Sequence, residues 1–259
     1  MTGTLGVALT LALVVAASPA TLDDRFKTAS EHYWAGRYGQ AYEGWRALAD
    51  YGIGDADLFY DLGSAAFQLG RPGEALGWFE RARRLDPHDG DLLANMEATE
   101  EALAGGKVVR VVEKGTAAGE GSFEWWYRLF TSATGTELAW FFGALHLLFF
   151  GLLIARRYMD RGPRRSLAGW AAVVALVGVV ASEGLLVGHA YVHHRVGVGV
   201  VTGRPTAVRD GPTPEARVLF ELPEGQLVRV LAAQDGYRHA LVNPSLQGWV
   251  EDRQVMVVR

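Results

Sequence analysis

The side chains best placed to do chemistry lie in one stretch, "SEGLLVGHAYVHHR", Ser182 to Arg195, which gathers a glutamate and three histidines at the end of a long apolar run. His189 and His193 are four residues apart, so on a continuous helix both imidazoles fall on one face, a spacing that can hold a transition metal. His194 points about 100° away, and Glu183 lies roughly 120° off that face. One helix therefore cannot gather all four groups, and a metal at His189 and His193 needs ligands from another segment or chain. The other chemistry is proton transfer, because Glu183 and His146 are ionisable groups inside apolar runs. Measured from the arginines between those runs, His146 lies about 14 Å deep and Glu183 about 24 Å. That axial gap is too wide for a direct hydrogen bond. The favoured reading is the wet end of a helix, with Gly178, Ala181, Gly184 and Gly188 as small helix-packing surfaces.

Other enzyme chemistries find no foothold. Cysteine is absent, which excludes disulfides, thiolate metal sites and cysteine nucleophiles and leaves the compartment open. The glycines at 105, 106, 115, 119 and 121 lack the flanking strand and helix of a phosphate cradle. The sequence thus points to a non-enzymatic protein with no cofactor and no catalytic residues.

Three apolar runs organise the 259 residues. Leu5 to Ala20 has the length of a secretory core followed by a small-x-small site at Ser18 and Ala20, although Met1 to Thr4 carries no Lys or Arg. Residues 1–20 are expected to be a signal peptide, with an uncleaved anchor as the alternative. The later runs predict transmembrane helices over 136–155 and 167–190, each about the 20 residues that cross a ~30 Å hydrocarbon core. The loop between them, 156–166, carries five arginines against Asp160 and is expected on the cytoplasmic side. The flanking domains then lie outside the cytoplasm, on a two-pass protein of a bacterial inner membrane. Residues 105–121 read as a Gly-rich linker. Over 122–135, Trp125, Trp126, Tyr127 and Phe130 are expected to anchor at the headgroups.

A 34-residue period appears before the spans. Ala56 to Asp89 carries Leu62-Gly63, Ala66, Gly70, Ala75, Phe79, Ala82 and Pro87 at the spacings of a tetratricopeptide (TPR) repeat. Gly63, Ala66, Ala75 and Ala82 let two antiparallel helices approach, while Phe59, Leu62 and Phe79 fill the space between them. A more degenerate copy covers 22–55, and 90–104 reads as a capping helix, so the TPR domain spans 22–104. Its concave face is expected to present Ser30, Tyr33, Tyr60, Ser64 and Phe67, with Phe26 in the same row. Lys and Asn, which a carboxylate-clamp TPR needs there, are missing. From Leu22 to Ala104 sixteen acids face eight bases, a formal charge of −8. An acidic, aromatic groove suits a basic or amphipathic peptide and argues against nucleic acid.

Residues 196–259 change to strand alternation, with strands in "TAVR", "RVLFEL", "LVRVLAA", "YRHALV" and "GWVEDRQVMVV". Five strands in about 60 residues suggest a small barrel. The "LPEGQLVRVL" hairpin, "QDGY" and Gly248-Trp249-Val250 resemble a bacterial SH3-like domain. The fold class is therefore a multidomain membrane protein: an all-α TPR helical-repeat domain, two transmembrane helices and a small all-β SH3-like barrel. In the whole architecture, together with the repeat at Ala56 to Asp89 and the "GWV" strand, the chain resembles the BatE-like TPR proteins of the bacterial aerotolerance (Bat) operon. That resemblance implies a scaffold in an envelope complex with other Bat membrane proteins, some bearing von Willebrand factor A domains and encoded beside a MoxR-type ATPase. The alternative is a cell-wall sensor that binds peptidoglycan through Tyr237 and Trp249.

Overall fold

The computed structural model describes residues 19–105, 127, 129–203, 205–243 and 246–258. The expected signal peptide lies outside this range, except that Pro19 and Ala20 open the first helix; the linker beyond Gly105, Trp125 and Trp126 lie outside it too.

Helices α1 (Pro19–Trp34) and α2 (Tyr38–Asp50) form one hairpin, α3 (Ala56–Gln68) and α4 (Pro72–Leu85) a second, and α5 (Gly90–Gly105) packs on α4. The 34-residue period is built into the backbone. Gly36 and Gly70 both adopt positive φ, +74° and +70°, where a side chain would be strained. The same hydrogen bonds close both helix ends: Gly36 N to Tyr33 O and Gly70 N to Phe67 O, each 2.9 Å, with Arg37 N to His32 O and Arg71 N to Ala66 O one residue on. Asp55 caps α3 by accepting from the amides of Asp57 and Leu58 at 3.0 and 3.3 Å. In the second hairpin the ring of Phe79 lies on Gly63, where an added Cβ would meet it at 2.4 Å. Phe59 stacks on Trp78 at 5.7 Å, and the Trp78 indole donates to Tyr42 OH at 3.3 Å, joining the two hairpins.

Helices α6 (Gly135–Tyr158) and α7 (Pro163–Arg195) form an antiparallel pair, both long and apolar enough to cross a membrane. Thr134 and Glu137 close a capping box at the start of α6: Thr134 N donates to the Glu137 carboxylate at 2.8 Å, and Glu137 N donates to Thr134 Oγ1 at 3.2 Å. The turn between the helices is Met159–Gly162, shorter than the expected 156–166 loop. Arg156 and Arg157 extend α6, where cations suit the negative end of the helix, and Pro163 is pre-set to open α7. The buried stripe of α7 is Ala168, Ala172, Ala175, Val179 and Ser182. Of the four small residues expected at this contact, Gly178 meets Leu145 and Gly188 meets Phe130, whereas Ala181 is exposed and Gly184 has open space beside it.

After α7, seven antiparallel strands form one sheet in the order β3-β2-β6-β5-β4-β1-β7: β1 Gly197–Val201, β2 Thr206–Arg209, β3 Val218–Leu222, β4 Leu227–Gln234, β5 Tyr237–Asn243, β6 Leu246–Glu251 and β7 Val255–Val258. Asp235 and Gly236, both at positive φ, make the two-residue turn from β4 to β5. The expected five strands become seven for two reasons. The final strand is broken by a 3₁₀ turn, Asp252–Gln254, and β1 is an additional strand. "GVGVV" shows no alternation because both of its faces are covered: Val201 joins the sheet's own core with Val208, Val228 and Val250, while Val198 and Val200 pack with Leu76 of α4 and Tyr127.

The repeats and the sheet are docked through α4. Arg81 Nη2 donates to Val257 O at 2.7 Å and Arg84 Nη1 to Val258 O at 2.9 Å, both against β7. Gly73 N donates to Glu224 Oε1 at 2.7 Å, and Met256 fills the hollow at Gly77. Tyr127, expected at the headgroups, is instead 2% exposed in the cluster that joins α4, the end of α7 and β1, with the Arg83 guanidinium 5.6 Å from its ring. A Tyr at a domain junction gains more from burying its ring against these valines than from the interface zone.

Candidate protein-binding groove

Because α4 turns its outer face to the sheet, the repeat array keeps its concave side open. The helical period sets the lining there: Asp61, Ser64 and Gln68 fall on one stripe of α3, with Tyr60 and Phe67 beside it. Together with Ser30, Tyr33 and Trp34 of α1, Trp45 of α2, and Asn95 and Thr99 of α5 they enclose a groove of about 320 Å³. The five residues expected on the concave face, Ser30, Tyr33, Tyr60, Ser64 and Phe67, all line it. Phe26 does not; its ring lies 6.2 Å from Trp45 against the repeat core.

The walls are held firmly. Tyr33 packs against Trp45 and edge-on against Trp34, both at 5.6 Å. Asn95 Nδ2 donates to Tyr60 OH at 2.7 Å, fixing that ring to α5. Two features were not foreseen. The indole of Trp45 is 1% exposed, and its N–H has no hydrogen-bond partner among the described residues. A buried donor left unpaired costs about 1–3 kcal/mol, so this group is poised for an acceptor. The second is Asp61, whose carboxyl is pushed up to about 7 by burial and, secondarily, by Asp57 one turn before it. A signal for Asp61 did exist, since it stands one turn before Ser64 on the same stripe. Trp45 carried none, because a repeat-core position and a groove floor have the same sequence signature.

The remaining candidates fall elsewhere. Tyr237 is 8% exposed and lies in the wall of a shallow depression with Gly236, Glu251, Asp252 and Arg253. Trp249 is half-buried, paired across the strands with His239, whose ring is 5.1 Å away, and with Arg209. The register that pairs Tyr237 with Glu251 and His239 with Trp249 puts the two aromatic residues on one face of the sheet, Tyr237 buried and Trp249 half-buried. His189 Nδ1 donates to Phe130 O at 2.8 Å, tying α7 to the segment before α6. No group of three His, Asp or Glu side chains gathers among the described residues; the His193 side chain lies outside them. His146 Nδ1 donates to Phe142 O of its own helix at 3.0 Å.

Glu183 is exposed on α7, turned away from the buried Ser182. Contacts between Gly178 and Leu145 and between Gly135 and His189 put Glu183 level with Trp140, which is 77% exposed. Trp170, also exposed, lies about 20 Å farther along α7.

The tetratricopeptide repeat family matches residues 56–89. No curated protein matches the chain. Among solved structures, the crystal structure of PcrH from Pseudomonas aeruginosa aligns over 67% of this chain and 99% of that one, at 17% identity and a TM-score of 0.34. The chain thus carries a tetratricopeptide repeat, which supports a protein-interaction role, and no enzyme family is indicated.

Proposed function

We propose that the chain is a non-enzymatic, membrane-anchored scaffold of the bacterial envelope whose repeat groove captures a basic or amphipathic segment of a partner protein. The observation that carries this is the unpartnered indole N–H of Trp45 in a groove lined by Tyr33, Tyr60 and Asp61. It offers a donor to a peptide carbonyl, aromatic walls to apolar side chains and a carboxyl to a cation. The SH3-like sheet and the repeats act as one docked body outside the cytoplasm, α6 and α7 span the inner membrane, and the BatE-like architecture favours other Bat membrane proteins as partners.

The test titrates the detergent-solubilised full chain with a basic amphipathic peptide and with its Lys/Arg-to-Glu counterpart, following tryptophan fluorescence. Saturable change with the basic peptide alone, lost in Phe67→Ala, supports the groove. Equal response to both peptides rejects it.

A second reading, peptidoglycan recognition, rests on the half-exposed Trp249 beside His239. Retention of the full chain on purified sacculi, abolished by Trp249→Ala, would favour it; passage through the sacculi would end it.

A further inference from the structure

The turn end of the α6–α7 pair carries Arg156, Arg157, Arg161, Arg164 and Arg165 against a single acid, Asp160. None of these guanidiniums forms an ion pair among the described residues. Two of them are placed by the fold. Arg156 lies across α7 at Gly169, where an added Cβ would come within 3.0 Å of Nη1, so the glycine makes the seat for this side chain. Arg165 is half-buried and stands three residues before Ala168, on the stripe of α7 that packs against α6. The antiparallel packing thus brings two cations to one seam with no acid between them. Such an arrangement repels unless an anion occupies it.

The surroundings decide which anion. Val173 and Leu176, exposed at 49% and 43%, lie farther along α7 on the face that carries Arg165 and Gly169. They form an apolar wall on the hydrocarbon side of the guanidiniums. A free phosphate would use the cations and ignore the wall, whereas a phospholipid uses both: guanidinium forks take its phosphate oxygens in bidentate fashion, and the wall takes the first methylenes of its chains.

We propose that the seam at Arg156 and Arg165 is a binding site for the phosphate of an anionic phospholipid, with Val173 and Leu176 holding the start of its acyl chains. The site rests on the membrane-spanning reading of α6 and α7 and on nothing in the groove.

The experiment uses delipidated full chain in a neutral detergent, titrated with short-chain phosphatidylglycerol, short-chain phosphatidylcholine and inorganic phosphate. Phosphatidylglycerol should saturate, and the other two should not. Each lost arginine should weaken binding about fivefold, so Arg156→Gln/Arg165→Gln should bind about 25-fold more weakly. Arg161→Gln/Arg164→Gln, which removes the same charge from the turn, should lose clearly less. Arg156→Lys/Arg165→Lys keeps the charge without the fork and should fall between them, which keeps the test open if the glutamine pair misfolds. Equal binding of phosphatidylcholine, equal binding of phosphate, or equal losses in the two glutamine pairs would each overturn the site. Alkaline extraction of membranes separates the underlying reading: release of the chain defeats the spanning reading itself, whereas retention without phosphatidylglycerol binding defeats only the lipid site.

Discussion

The guanidinium of Arg81 donates to the backbone carbonyl of Val257 at 2.7 Å while lying 4.8 Å from the Trp78 ring, so one side chain is shared by the repeat core and the edge strand of the sheet. Because the acceptor is main chain, the contact fixes the position of β7 and is indifferent to which side chains β7 carries. Nearby, Gly73 meets the sheet at its closest approach: an added Cβ would stand 2.8 Å from Val201 O and 2.4 Å from the Glu224 side chain.

Gly73→Ala should therefore separate the two domains without harming either. Alanine is favourable in α4 itself, while the backbone carbonyl of Val201 cannot yield without moving β1. Hydrogen exchange should rise along β1 and β7, with the exchange of α3 unchanged. Unaltered protection at β7 would contradict the docked arrangement.

Gly63→Ala tests the repeat core instead. The new methyl meets the Phe79 ring at 2.4 Å, and overpacking of this kind costs about 1–3 kcal/mol. Thermal unfolding of the helical signal should shift down by several degrees.

Asp61 gives the repeats a pH signature. Its folded carboxyl titrates at about 7, above the unfolded value of 3.8, so the folded state holds the extra proton between those values. Stability contributed through this group is greatest at the acid end of that window and declines as pH rises to about 7. Asp61→Asn should accordingly leave stability near pH 4 unchanged and raise it at pH 8, as read from denaturant midpoints at the two pH values.

For the proposed ligand the sign reverses. A cationic side chain over the groove prefers ionised Asp61, so affinity for a basic peptide should increase from pH 6 to pH 8, and Asp61→Asn should flatten that rise. Trp45→Phe, which deletes the orphan N–H and keeps an aromatic ring, should weaken binding about fivefold, the worth of one hydrogen bond of about 1 kcal/mol. Isothermal titration calorimetry reads both effects.

The proposed topology is checked by reporters. A fusion after Arg259 should be active with a periplasmic reporter and one at Gly162 inactive; the opposite pair of results would invert the assignment.

Much of this was legible in the sequence, for identifiable reasons. The 34-residue period and the small residues at Gly63, Ala66 and Ala75 announce the helical hairpins because close packing tolerates few substitutes. Five of the six residues in the expected row, all but Phe26, line the groove, so helical spacing placed most of it. What stayed hidden depends on contacts between distant segments. "GVGVV" was not among the expected strands, because a strand covered on both faces loses the alternation that identifies strands. Tyr127 looked like a membrane anchor because an interfacial and a junction-burying aromatic share one residue type, and only the docking of α4 against β1 distinguishes them. Strand register puts Tyr237 and Trp249 on one face of the sheet, as diagonal neighbours across β5 and β6, but how deeply each is buried depends on what packs over that face and carries no sequence signal.

Helix α7 runs 33 residues to Arg195, and a single residue, Val196, separates it from β1. At 1.5 Å per residue it is about 50 Å long, some 20 Å more than a bilayer core absorbs. In the proposed topology the helix then serves as a rigid stalk. With no slack at its top and the repeats clasped to the sheet, that topology would carry the groove at a set altitude above the lipid and sweep it through a plane. Partners are then sorted by how far from the membrane their segment emerges as well as by its chemistry.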